Sequence, residues 1–156
     1  EIVSGVSALQ AGAAAAGLSL THRGLADEFH VLEGHHLLER PRHWASLAQS
    51  GATLVLFMAT RNLAAIAQKL LAHGASPELP VVLVEAACRS NETTTRSVLT
   101  HAATGQISPR TNGPGILYLG ATAGLRIPRH VHPDDLSAPA ALSGPQPFLR
   151  VAGGGR

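Results

Sequence analysis

The chain has a single cysteine, Cys88, together with one tryptophan, one tyrosine and three phenylalanines in 156 residues, so aromatics make up only 3%. One thiol excludes an internal disulfide and fits a reducing compartment, which makes the cytoplasm the expected location. Charge is scarce as well, at 14%: twelve Lys and Arg, eleven of them Arg, stand against ten Asp and Glu, for a net charge of +2. A nucleic-acid binder needs a clustered basic stripe, often with stacking aromatics, and neither is present. Long apolar runs are missing too. The longest, GATLVLFMAT and LPVVLVEAA, fall well short of the roughly 20 residues that span a bilayer, and no basic-then-apolar leader stands at the start. Neither GxGxxG nor GxxxxGK[ST], the loops of dinucleotide and nucleoside triphosphate sites, occurs. The GxSxG elbow of α/β-hydrolases is likewise absent.

What is present is 45% hydrophobic residues, enough for the core of one ordinary domain. The chain opens on EIVSGVSALQ, without an initiator Met, and is expected to be a piece of a longer protein. From residue 127 onward Pro, Gly, Ala and Ser dominate without periodicity, and residues 127–156 are expected to be a disordered tail after a folded unit of 1–126. Within that unit, Ala-rich 6–18 reads as a helix with Ser7 near its start and Gly17 at its stop. EFHVLEGH reads as a strand carrying Phe29, Val31 and Leu32 inward, and 41–49 as a short helix. TLVLFM is a continuous apolar run suited to a buried, parallel strand. A helix follows with Thr60 as cap, Leu63, Ile66, Ala67, Leu70 and Leu71 at helical spacing, and Gly74 at its end. VVLVEAA is a second buried strand, so 53–87 is expected to form one βαβ unit. ETTTRSVL reads either as a strand or as the lead into a helix over 97–103. GILYLG is a further apolar strand.

In open α/β sheets, ligands gather beyond the carboxyl ends of the strands. Here those ends are Met58-Ala59-Thr60 and Glu85-Ala86-Ala87, built of small or uncharged residues. Their backbone groups suit a flat or amphipathic cofactor, with Met58 as an apolar wall, or they are simply tight connections. The stretch LTHRGLADEFHVLEGHH gathers His22, His30, His35 and His36, but without the i, i+4 helical spacing of catalytic zinc motifs, so surface residues flanking a strand are expected and no metal site is assigned. His130 and His132 fall in the tail. Cys88 has no identifiable base and is expected to be a small buried residue rather than a nucleophile.

Several stretches together resemble one family. GVSALQAGAAAAGLSLTHRG is similar to a helix followed by Gly-Ile-Pro-Leu-Thr-His-Arg, and EFHVLEGHH to the strand ending in Thr-Gly-His that comes next. TLVLFMATRNLAAIAQKLLAHGASPELPVVLVEAACRSNETTTRSVL is similar to a Thr-Leu-Val-Phe-Tyr-Met strand, its helix and a Pro-Val-Ala-Val-Val-Glu strand. These are features of the tetrapyrrole methylases, and Thr21-His22-Arg23 points to the uroporphyrinogen-III C-methyltransferase branch; SALQA also resembles the precorrin-4 C11-methyltransferase branch. The resemblance runs in order through roughly residues 1–125. It implies an α/β fold, the C-terminal lobe of a two-lobed tetrapyrrole methylase with a mixed sheet and flanking helices. It also implies methyl transfer from S-adenosylmethionine to carbons 2 and 7 of uroporphyrinogen III, giving precorrin-2 for sirohaem and cobalamin synthesis, with S-adenosylhomocysteine as product.

By position, the resemblance gives Ser7, Ala8, Met58 and Ala87 to the cofactor and Thr21, His22 and Arg23 to the tetrapyrrole, and it implies a homodimer when the protein is intact. The family's first half, with its GxGPGD loop, Gly-Gly-Asp segment and proposed proton-transfer acid, is missing from these residues. Catalytic groups are therefore expected outside this chain, and the isolated lobe is expected to be inactive, or to serve as a noncatalytic binding or dimerisation module. Smaller departures are Ser4 for Pro, Leu18-Ser19-Leu20 for Ile-Pro-Leu, and Glu92 for Gln.

Overall fold

The computed structural model describes residues 1–39, 41–111 and 113–127. The segment from 128 onward, with the expected tail and its His130 and His132, lies outside the described residues. Helix α1, Ala8–Ala16, begins where Ser7 Oγ accepts the Leu9 N–H at 3.3 Å. It ends where Gly17 turns left-handed (φ 60°), and the N–H groups of Gly17 and Leu18 donate back to the carbonyls of Ala14 and Ala13 at 3.0 Å. Both ends are those expected from the sequence.

The remaining elements are β1 (Phe29–Glu33), α2 (Trp44–Gln49), β2 (Thr53–Phe57), α3 (Leu63–Ala72), β3 (Pro80–Glu85), β4 (Thr93–Val98), α4 (Leu99–Ala103) and β5 (Gly115–Leu119). Thr60 does not cap α3. It opens a single 3-10 turn, Thr60–Asn62, from which the helix continues. Residues 93–103 realise both readings in succession, a strand and then a short helix.

The five strands make one mixed sheet in the order β1-β2-β5-β3-β4. β1 and β2 are parallel, β5 is antiparallel to both β2 and β3, and β4 is antiparallel to β3. The expected βαβ unit therefore needs correction: β2 and β3 run the same way but are not neighbours, because β5 lies between them. Burial explains the insertion. Ile116, Leu117, Tyr118 and Leu119 are all buried, so β5 is apolar on both faces and suits the centre, whereas TTTRSV of β4 is polar and takes an edge.

One face of the sheet, Leu54, Leu56, Val81, Leu83, Leu117 and Leu119, packs against Leu63, Ile66, Ala67 and Leu70 of α3 and Leu99 and Ala102 of α4. The i, i+3, i+4, i+7 stripe of α3 is the cause of that layer. The other face, Val55, Val82, Val84, Ile116 and Tyr118, is covered by Leu9, Ala13 and Ala16 of α1. Close approach here depends on Gly12, because a Cβ on it would meet Tyr118 Oη, with Cζ only 3.3 Å away. The phenol is fully buried and donates to Leu9 O at 2.7 Å. Leu32 packs on the α3 side as expected, but Phe29 and Val31 do not point into the core; they are 40% and 50% exposed. Val31 pairs with Val55 on the α1 face, and α1 covers the centre of that face while β1 is the edge.

Candidate functional site

The carboxyl ends of β1, β2 and β3 lie at one edge of the sheet, and β5 starts there, with Phe57 opposite Ile116 and Glu85 opposite Gly115. Among the described residues, the three non-glycine residues with positive φ all lie at this edge: Met58 (φ 53°), Ala86 (φ 50°) and Cys88 (φ 63°). A left-handed conformation costs an L-residue roughly 1–2 kcal/mol, so the chain spends stability where two strands end. Such strain gathers at ligand sites. Met58 is 63% exposed, an unusual position for the only methionine, while Ala59 behind it is fully buried.

Two features hold the Met58 turn in place, and neither was singled out by sequence reasoning. Gly34, just after β1, donates its N–H to Phe57 O at 2.7 Å, and a Cβ on it would stand 2.7 Å from Ala59 Cα. Only glycine lets the two strand ends approach this closely. The Asn62 amide then donates to Gly34 O at 3.1 Å and His35 O at 2.9 Å, tying the end of β1 to the turn after β2.

The third strand end is organised by Glu85, buried to 1% exposure. Its carboxylate accepts the N–H groups of Arg110 (2.9 and 3.0 Å) and Thr111 (2.9 Å), and the hydroxyls of Thr111 (3.0 Å) and Thr93 (3.3 Å). Burial by itself raises the Glu85 pKa, but these donors outweigh it and the group lies below its ordinary value. Glu85 thus pins the 110–111 loop above Ala86 and fixes the approach to β5. The one signal in the sequence was a carboxylate ending the apolar run VVLV.

Ser7 and Ala8 are exposed at the start of α1, and the Ser7 hydroxyl, already accepting from Leu9, still has its own hydrogen to donate. Ala87 is half-buried against the α1-side core. Cys88 is exposed, not buried as expected, because it lies in the loop beyond β3, where its N–H donates to the Glu92 carboxylate at 2.8 Å. Thr21, His22 and Arg23 are exposed in a turn closed by the His22–Ala26 bridge. That turn leads to Glu28, whose carbonyl accepts the Thr53 N–H at 3.1 Å, and so it lies at the amino end of β2. The length of β2 separates it from Met58. His36 bonds Glu39 at 2.8 Å and His30 lies 3.3 Å from Glu28. Among the described residues no group of three or more His, Cys, Asp or Glu is placed to hold a metal ion, and no helix is long and apolar enough to cross a membrane.

The five-strand mixed sheet with flanking helices makes this an α/β protein, with its strained turns gathered at one carboxyl edge. Residues 1–103 match the family described as Tetrapyrrole (Corrin/Porphyrin) Methylases, and the chain belongs to that family. It is 34% identical over 126 residues to siroheme synthase 2 of Cronobacter sakazakii, covering 81% of this chain and 27% of the relative. The uroporphyrin-III C-methyl transferase of Thermus thermophilus, solved in complex with S-adenyl homocysteine, is 34% identical with a TM-score of 0.64, covering 78% of this chain and 52% of that one. A cobalt precorrin-4 methyltransferase shares the fold at a TM-score of 0.66 and 24% identity, over 79% of this chain and 52% of that one. The chain thus spans about a quarter of the siroheme synthase and about half of the solved methyltransferases.

Proposed function

We propose that this chain forms one wall of the site of an S-adenosylmethionine-dependent C-methyltransferase acting on uroporphyrinogen III, with precorrin-2 as product. The observation that carries the reading is the pair of left-handed turns at Met58 and Ala86, ending two strands of like direction beside an exposed methionine side chain. The fit to the cofactor is chemical. Met58 offers a soft apolar surface, Ala87 a side chain small enough for a flat ring to lie against, and Ser7 a hydroxyl donor at a helix start. When bound, S-adenosylmethionine supplies a sulfonium methyl, which passes to an electron-rich ring carbon while the methylated ring loses a proton. The residues here contribute alignment, which in a displacement reaction accounts for much of the rate. Glu85 and Asn62 hold the two turns, and Met58, Ala87 and Ser7 face the ligand. The resemblance also gives Thr21, His22 and Arg23 to the substrate, but their turn lies at the amino end of β2, away from Met58, and the reading does not depend on them.

Titration of S-adenosylhomocysteine tests the proposal, using the chain alone and joined to the preceding half of a solved relative. Saturable binding in either supports it; binding in neither would overturn it in favour of a noncatalytic pairing module, a reading favoured by exposed Phe29 and Val31 on edge strand β1. Met58→Gly separates function from stability. Relief of left-handed strain should leave the chain as stable, or more stable by up to about 1 kcal/mol. Loss of the side chain should weaken S-adenosylhomocysteine about tenfold. A variant that binds as the parent does would remove Met58 from the site.

A further inference from the structure

Thr94 and Arg96 lie on the α1 face of edge strand β4, opposite Val84 and Val82. There they line an open cleft of about 590 Å³ together with Ala15, Ala16, Glu92 and Arg126. That volume is within the range of small-molecule sites, roughly 300–1,000 Å³. The upper end of the cleft meets the cofactor-side edge, because Glu92 accepts the N–H of Cys88, next to Ala87. Arg96 is fixed from behind. Its Nη1 donates to Ala123 O at 2.9 Å and Leu125 O at 3.2 Å, and its Nη2 donates to Ala16 O. Three of its five N–H donors are used this way, and the guanidinium keeps two more.

Arg126 is exposed, makes no ion pair among the described residues, and lines the same cleft as Arg96. Burial first, and Arg126 second, hold the Arg96 guanidinium below its usual value. Two like charges facing one cleft are an electrostatic cost that an anion would offset. Thr94 Oγ1, shielded from solvent, has no hydrogen-bond partner among the described residues. Among the described residues Glu92 is the one acid in the lining, against two cations. The cleft beside the Thr21–Arg23 turn is the reverse case. Among the described residues it is lined by 24–28 and 50–52, with Asp27 and Glu28 and no cation, and is unsuited to a carboxylate.

We propose that the β4 cleft is a carboxylate subsite, in which an acid side chain of the tetrapyrrole is held by Arg126 and the free edge of Arg96 while the macrocycle lies toward the Ala86–Cys88 loop. This rests on the methyltransferase reading and assigns it a substrate contact that the sequence motifs did not indicate.

The test is titration of the full chain with uroporphyrin III, followed by fluorescence, for the parent, Arg126→Ala and Arg23→Ala. Arg126 is exposed and has no bond to any described residue, so its loss should not disturb the described fold. Arg126→Ala is expected to weaken the porphyrin about tenfold, the worth of a charge-assisted hydrogen bond, and to lessen its salt dependence. Arg23→Ala should bind like the parent, and Arg126→Ala should leave S-adenosylhomocysteine binding unchanged. Undiminished porphyrin binding by Arg126→Ala, or weakening confined to Arg23→Ala, would overturn the subsite. So would a parent chain that binds S-adenosylhomocysteine but no porphyrin. A parent that binds neither, alone and joined to the preceding half of a solved relative, would fail the methyltransferase reading itself.

Discussion

Gly12→Ala is expected to destabilise the protein, although replacing a helical glycine by alanine ordinarily stabilises a helix by about 1 kcal/mol. The new methyl would meet Tyr118 Oη and lie 3.3 Å from Cζ, at a ring that is completely buried and held by its hydrogen bond to Leu9 O. Two responses are open. If the ring stays, α1 must lift from Tyr118 and the Ala13 and Ala16 contacts loosen; overpacking of this kind costs about 1–3 kcal/mol. If the ring moves, the phenol loses its partner inside the core, a further cost of about 1–3 kcal/mol. At mid-range either exceeds the gain in propensity, and a net loss of about 1 kcal/mol in urea unfolding follows. Tyr118→Phe alone should cost about 1 kcal/mol, yet in the Gly12→Ala background it should restore part of the loss, since the atom in the way is removed. A Gly12→Ala chain as stable as the parent would show that α1 is not seated on Tyr118.

Glu85→Ala should be about as severe or worse. It strips the acceptor from two backbone N–H groups and two hydroxyls around a residue that is 1% exposed. The hydroxyls can turn elsewhere, but the N–H groups of Arg110 and Thr111 cannot. Two stranded donors imply a loss of roughly 2–5 kcal/mol. The 110–111 loop would be released from the carboxyl edge, and binding at Ala86–Ala87 should weaken with it. Glu85→Gln keeps the shape and one good acceptor but turns an NH2 toward donors, and should fall between the parent and Glu85→Ala.

The pH dependence has a defined sign. The folded-state pKa of Glu85 is lowered from the ordinary 4.5, so the stability it contributes is present in full above that value and is lost as pH falls through the folded pKa. The gap in unfolding free energy between parent and Glu85→Gln should therefore be constant above about pH 5 and should shrink as the parent is acidified. A gap that widens in acid would mean that the carboxylate is not stabilised where it lies.

Local elements were legible where short-range chemistry decides them. Ser7 and Gly17 bracket α1, the apolar stripe from Leu63 to Leu70 makes α3, and the apolar runs at 53, 81 and 115 become β2, β3 and β5. Met58 and Ala87 were marked as strand-end residues, and both are found at the carboxyl edge. Thr21–Arg23 was assigned by resemblance, and no local pattern could say at which end of β2 the turn would lie. Residues that act across long separations left little trace. Asn62 reaches 27 and 28 residues back to His35 and Gly34, and Arg96 reaches 80 residues back to Ala16. As isolated letters they read as ordinary polar side chains.

By itself, then, the sequence determined which segments form strands and helices, which faces are apolar, and the family to which the chain belongs, because these depend on residue order and spacing. Only the tertiary structure decided that β5 separates β2 from β3, that Phe29 and Val31 face outward on an edge, and that Cys88 is exposed. It also decided that Arg96 and Arg126 share one cleft at β4. Cys88 and Arg126 are set by the loops that follow β3 and β5, whereas the first two share one physical reason. A strand can pair with either neighbour, and which one it takes depends on the burial of both its faces at once, a property of the assembled sheet and not of any stretch within it.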